Sequence, residues 1–217
     1  MMRIFIILFA LAFIPFLLPA QEIGLNGFYA ASTLDKFGHT FGFGVEYNEY
    51  MKPKQRIGIT LSLGFSNAQY DDIHYSMTDG KSFYIDQVTP RNKRFAFRVN
   101  YAFGLLRNTK SNLLLGPEVG LNCFWINEQY DRTANGNIPG GHYSSVSSNL
   151  YRFGLGCLVE YELREVIGKG IATFVAIHPE ITGFAKGGMK GTNNPAAVGW
   201  LNVELGFRYC FHKKPQK

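Results

Sequence analysis

His74-Tyr75-Ser76 and His142-Tyr143-Ser144 each put a histidine and a serine at i and i+2. That spacing shares one face of an extended segment, where an imidazole could take a proton from a hydroxyl nucleophile. Both triplets lie in polar stretches, Ser-rich or containing Asp, in which such pairs arise by chance, and His178 with Glu180 has no serine beside it. His39, His74 and His142 could in principle meet as metal ligands, but their spacing matches no metal motif. Cys123, Cys157 and Cys210 are too few for a disulfide framework and fit no zinc spacing. The reading is therefore non-enzymatic, with no catalytic residue, cofactor or metal assigned.

A second set of reactive side chains is spaced more regularly. Glu46, Arg98, Glu118, Arg152, Glu160, Glu204 and Arg208 each fall on the polar side of an alternating segment, and Glu162, His178 and Glu180 are weaker members of the same set. Charges gathered inside a protein must pair or be neutralised, so the chemistry expected is a network of buried ion pairs. Arg98 and Glu118, on neighbouring segments at similar depth, are the expected central pair, with Glu204 close by.

Strict period-two alternation is what positions these residues. Leu201, Val203, Leu205, Phe207, Tyr209 and Phe211 oppose Asn202, Glu204, Gly206, Arg208 and Cys210. Phe41, Phe43, Val45 and Tyr47 oppose Gly42, Gly44, Glu46 and Asn48, and segments 57–66 and 95–103 repeat the pattern. Four more segments, about 22–31, 112–125, 149–163 and 170–183, bring the strand count to eight. Pro117 and Pro179 each remove a ladder donor, so a bulge or local break is expected at both, with a register shift at Pro179.

Connections sort by length. Residues 51–55, 106–111 and 164–169 are short; 67–93, 126–148 and 184–196 are long; 32–39 is intermediate. Short turns at one end and long loops at the other are the habit of outer-membrane barrels, with both termini in the periplasm. Aromatic residues gather at strand ends, as girdles at the two membrane interfaces would. Tyr47, Tyr101, Phe103, Tyr161, Tyr209 and Phe211 belong to the short-turn end; Tyr29, Phe41, Phe65, Phe95, Tyr151 and either Trp125 or Trp200 belong to the other.

Composition agrees with an alternating wall. Charged residues are 18%, below the roughly 25% usual in soluble domains, and aromatics reach 15%. Mean hydropathy is -0.06, so apolar and polar residues are interleaved. Only residues 4–20 are continuously apolar; with Pro15, Pro19 and the Ala20-Gln21 junction they read as a secretory signal peptide over 1–20, ahead of one barrel domain over 21–217. No cysteine at that junction suggests a lipid anchor. The net charge of +6 is scattered and makes no nucleic-acid patch.

The polar face decides which side points out. It carries Gly, Ser, Thr, Asn and Ala with occasional Arg and Glu, whereas a soluble exterior would be rich in Lys and Glu. Small residues suit an eight-strand lumen that side chains just fill, so the apolar face is expected toward lipid and no continuous pore is expected. On these residues the chain resembles the small eight-stranded outer-membrane barrel superfamily typified by the OmpA membrane domain and OmpX. The ending Phe207-Arg208-Tyr209-Cys210-Phe211 looks like that superfamily's C-terminal aromatic signal for the barrel-assembly machinery, although residues 212–217 follow it. PorT-like members, associated with a secretion system, are similar in size and layout, and the resemblance leaves a lipid-modifying outer-membrane enzyme as a further alternative.

The resemblance implies an outer membrane of a Gram-negative bacterium, lipid as the immediate surroundings, and the assembly machinery as a partner in biogenesis. Asp79-Gly80 and Asn135-Gly136 are hairpin turn signals inside the long connections. They imply strands rising above the membrane, similar to the protruding sheet of OmpX-type barrels, so loops 67–93 and 126–148 are the expected place for a protein partner. For a secretion role the basic turn residues Lys52, Lys54, Arg107, Lys110, Arg164 and Lys169 would matter instead.

Overall fold

A computed structural model describes residues 22–34, 37–52, 54–67, 70–75, 83–108, 110–132, 141–186 and 197–211. The segment read as a signal peptide, residues 1–20, lies outside them, as do the Asp79-Gly80 and Asn135-Gly136 turns.

Among the described residues, alternation over long stretches produces nine strand segments. They are β1 (Glu22–Ser32), β2 (His39–Lys52), β3 (Gln55–Asn67), β4 (Tyr70–Tyr75), β5 (Phe83–Arg107), β6 (Ser111–Arg132), β7 (Gly141–Arg164), β8 (Ile171–Lys186) and β9 (Ala197–Cys210). Every pairing is antiparallel between neighbours, β9 returns to β1, and β3 closes the ring on β5. Both β3 and β4 pair with β5, at 91–103 and 83–88 respectively, so together they form one interrupted strand. The wall is thus an eight-stranded, closed, up-and-down barrel. Closure leaves no strand edge within the wall, which is the condition for a sheet to stand in hydrocarbon.

The two faces differ as a membrane requires. Phe43 and Leu205 on the outside are 61% and 62% exposed, while Arg98 and Arg208 on the inside are 1% exposed. A soluble barrel would reverse this. The fold is a transmembrane β-barrel of the small outer-membrane kind.

One end of the barrel has tight turns. Lys52 pairs with Gln55, the Asn108 side-chain oxygen accepts the Lys110 and Ser111 amides at 2.9 and 2.6 Å, and Glu165 and Gly170 take positive φ in the β7–β8 turn. At the other end β5, β6 and β7 run for 25, 22 and 24 residues, against the roughly 9–11 that a tilted strand needs to cross a bilayer. Connections 67–93 and 126–148 are therefore largely sheet rather than loop: β4 to β7 rise past the wall as a protruding ladder. The aromatic residues follow the ends. Trp200 is the exception to the outward assignment, since it shares parity with Asn202 and Glu204 and is buried inside, leaving Trp125 as the exposed tryptophan.

The prolines interrupt pairing without shifting it. Between β5 and β6 the pairs Asn100–Glu118 and Phe103–Leu115 keep one register while the two positions between them, next to Pro117, are skipped. Between β7 and β8 the same lapse falls at Cys157 and Leu158 against Pro179 and His178. In an antiparallel sheet the N–H and C=O of one residue face the same neighbour. A missing donor therefore weakens one seam: Pro117 still pairs with Cys157, and Pro179 with Leu201. The register shift expected at Pro179 is absent; shifts occur at Tyr50/Lys52, Gly104/Leu106, Tyr130/Asp131 and Tyr151/Phe153.

The outward face makes a direct prediction. Leu205 lies midway along β9, between the aromatic ends, so Leu205→Arg should destabilise the barrel by about 2–4 kcal/mol, as arginine does near the bilayer midplane. Urea titration of folding into phospholipid vesicles measures it, and an unchanged midpoint would contradict a lipid-facing Leu205.

Candidate functional site: a charged lumen under an aromatic cap

Even-numbered residues of β5 to β9 and of β1 to β3 turn inward, and the lumen is where their charges meet. Glu46, Arg98, Glu118, Arg152, Glu160, Glu204 and Arg208 are all buried there, together with Glu162, His178 and Glu180. They sort into tiers along the barrel.

The tier nearest the turns is centred on Arg208. Its guanidinium bonds Glu46, lies 2.7 Å from Glu160 Oε2 and 3.0 Å from Glu162 Oε2, and stacks over the Phe174 ring at 3.9 Å. Arg56 holds the same Glu160 through two bonds of 2.6 and 2.8 Å, a bidentate fork. At the rim Arg164 donates to Glu162 (2.6 Å), Glu22 (3.1 Å) and the Tyr50 hydroxyl (3.0 Å). Arg164 is thus a lumen-rim residue rather than a free turn charge, while Lys52, Lys54, Lys110 and Lys169 are exposed.

In the middle tier Arg98 bonds Glu204, and Glu118 stands 3.9 Å from it. Arg98 and Glu118 share the inner face, but the short contact of Arg98 goes to Glu204 and that of Glu118 to His178 Nδ1, at 2.9 Å. Asn26 also donates to Glu204, at 3.0 Å. In the tier above, Arg94 reaches Asn122 (2.8 Å), Asn202 (2.7 Å) and Glu180 (3.1 Å). Glycines supply the room: a Cβ at Gly24 would collide with Glu46, and one at Gly154 with Glu180.

Above Arg94 the filling becomes largely apolar, with Ser66, Asn92, Glu128 and Thr182 also buried there. Phe28, Ala30, Phe37, Phe124, Ile126, Leu150, Val198 and Trp200 form one buried cluster. Phe37 enters it from the β1–β2 connection, 5.1 Å from Phe124 and 5.7 Å from Trp200. Gly38 with φ 57° allows the chain to turn back, and the Ser66 hydroxyl donates to the Phe37 carbonyl at 3.0 Å. Arg94 lies 4.4 Å from the Trp200 ring and Arg152 5.8 Å from the Phe37 ring, so cation–π contacts join cap to tiers.

Sequence reasoning missed Arg56, Arg94 and Glu22 as lumen groups, and the cap entirely. Arg56 and Arg94 each precede by one residue the segments 57–66 and 95–103, which begin at their first apolar residue. Parity carried one step further places both inside. Phe37 had no such signal, because it comes from a connection.

The girdle residues Tyr47, Tyr101, Phe103, Tyr161 and Tyr209 sit on the outer face near the turn end, and Phe211 follows β9 there. Tyr101 packs edge-on against Phe103, and Tyr209 against Phe211. His39 stacks on Tyr29 at the loop end and shares a 2.6 Å bond with its hydroxyl. The side chains of His74 and His142 lie outside the described residues. Among the described residues no group of three His, Cys, Asp or Glu is arranged to hold a metal.

No family model and no curated protein matches this chain. Among solved structures it is similar to Neisserial surface protein A (12% identity, TM-score 0.47, covering 88% of this chain and 96% of that one). It is also similar to a major outer membrane protein of Thermus thermophilus (13%, 0.46, 88% and 100%) and to the outer membrane protease OmpT of Escherichia coli (8%, 0.46, 88% and 94%). At such identities a likeness says nothing of activity. The chain's own wall and interior define its class: a small eight-stranded outer-membrane β-barrel with a side-chain-filled lumen.

Two substitutions probe that filling. Arg208→Met leaves Glu46 buried without its cation and Glu162 with Arg164 alone, and should cost about 3–5 kcal/mol; an unchanged urea midpoint would mean the tier is hydrated and indifferent to its centre. Phe37→Ala should cost about 3–5 kcal/mol if the cap is packed as a core, and no measurable loss in the same assay would show that Phe37 does not pack there.

Proposed function

We propose that this chain is a non-enzymatic outer-membrane barrel that holds a protein partner at the cell surface. Its termini and tight turns lie in the periplasm and β4 to β7 stand outside. The observation that carries this reading is the protruding ladder. Its β7 flank, residues 141–150, pairs with β6 on one side, and among the described residues pairing with β8 begins only at Tyr151. An edge strand offers free backbone donors and acceptors to an extended segment of another chain. Residues 141–150 contain no Lys, Arg, Asp, Glu or Pro, the usual guards of an edge. The lumen supports a passive role for the wall, because its charged groups bond one another.

A second reading, a PorT-like component of secretion or assembly, draws on the turn end. Met51, Leu105, Leu106, Val166 and Ile167 are exposed there beside Lys52, Lys54, Lys110 and Lys169. That rim would suit an acidic periplasmic partner.

Shortening the ladder separates the readings. Gln129 pairs with Ser145, so replacing residues 130–144 by Asn-Gly, and deleting 73–86, should trim both hairpins and leave the wall intact. Heat-modifiable gel mobility should persist while partners cross-linked at the surface of whole cells are lost. Complexes that survive trimming but dissolve when the four turn lysines become glutamate would overturn the surface reading in favour of the periplasmic one.

A further inference from the structure

The two proline lapses lie at one level of the wall. Pro117 is paired with Cys157, Cys157 faces Pro179 across the β7–β8 lapse, and Pro179 is paired with Leu201, which in turn pairs with Ala31. The β6–β7 ladder between the lapses is unbroken from Ser111–Leu163 to Tyr130–Ser144. One continuous hairpin is therefore set between two weakened seams.

At the Pro179 seam the outer surface is hollowed. A trough of about 540 Å³ lies across β7, β8, β9 and β1, over Cys157, Pro179, Gly199 and Ala31. Leu155 and Ile181, 67% and 63% exposed, stand beside it, and Ser32 and Thr33 close its loop-end margin. Its depth follows from the chain. Ala31 and Cys157 have short side chains, the space that a Cβ at Gly199 would take is filled by Thr33 (2.8 Å), and a Cβ at Gly156 would fall 2.5 Å from the Pro179 carbonyl oxygen, so the strands approach closely at the lapse.

We propose that this trough is a binding site for one acyl chain of a membrane lipid. The trough is continuous with the lipid-facing wall, so its occupant comes from the bilayer, and its volume falls within the roughly 300–1,000 Å³ of small-molecule sites. Its lining offers an acyl chain methyl and methylene contacts, and it ends at Ser32 and Thr33, whose hydroxyls bond the backbone of Leu34 and Gly199. Other parts of the wall present bulky side chains such as Phe43 and Phe207 to lipid. This inference rests on the membrane-spanning fold and is independent of the edge proposed for the partner.

Photo-cross-linking tests it. The full barrel is folded into vesicles containing a phosphatidylethanolamine with a diazirine in one acyl chain, irradiated, digested, and its adducts mapped by mass spectrometry. Adducts should concentrate on Leu155, Cys157, Ile181 and Leu201, several-fold above Phe43 and Leu205, and the Pro117 seam serves as an internal comparison. Filling the trough by Ala31→Phe or Cys157→Phe should remove the excess, whereas Val119→Phe on the open wall should not. Heat-modifiable mobility identifies the variants that have folded, and the unsubstituted protein's adduct map stands alone if neither does. Adducts spread evenly around the wall, or an excess unchanged in folded filled variants, would overturn the site.

Discussion

A charged side chain in this wall has one direction in which it can survive. Outside is hydrocarbon, so an arginine or glutamate at a level of the strand that lies in hydrocarbon must turn inward and meet its opposite there. Arg208 among Glu46, Glu160 and Glu162 is the fullest instance. Much follows from that contact. It draws together side chains of β2, β7 and β9, from distant parts of the chain, and the parity it imposes on each strand sets the apolar parity that lipid sees. A one-residue slip of any strand would place a charge in lipid and a leucine among carboxylates, so register is held from both faces.

Charge pairing does not require that the lumen be charged from end to end, and it is not. The tiers give way at Trp200 and Arg94 to an aromatic cap, where a guanidinium stacked on a ring joins the two materials. The change has a geometric reason. Above that level β4 to β7 leave the cylinder and the ring of strands opens, so water can reach a polar filling. Apolar groups seal the mouth by being buried, and Phe37 can be supplied from a connection because the cap needs bulk rather than a specific hydrogen-bond geometry.

The sequence made the wall legible and the contacts across it much less so. Each strand was recoverable because its solvent differs on the two sides, which writes a period of two into residues such as Leu201 to Phe211. Inward direction was readable by the same parity, for Glu46 as for Arg208. Which arginine meets which glutamate was not readable: Arg98 and Glu118 are register neighbours of the same seam, yet barrel curvature lets Glu204, from the far side of the ring, come nearer to Arg98. Strand ends were the other weakness. Arg56 and Arg94 were lost because polar residues adjoining a strand resemble loop, and the extension of β5 to β7 was visible only through Asp79-Gly80 and Asn135-Gly136. The prolines were read for their missing donor, but the lack of a register shift depends on which neighbour that donor faced.

The proline seams show why a filled barrel need not be inert along its sides. A lumen whose charges bond one another offers a ligand little, and an apolar cluster is buried toward its loop end. What is left for recognition is the wall's outside and the strands that outgrow it. On the outside, alternation gives similar lipid contact from strand to strand, and a lapse such as Pro179 beside Gly156 makes a place that differs from its surroundings. Above the wall, β6 and β7 continue to pair with each other at residues 141–150, while among the described residues β8 joins β7 only from Tyr151 inward. Both features are departures from ideal barrel pairing, and both lie where water or lipid can reach them.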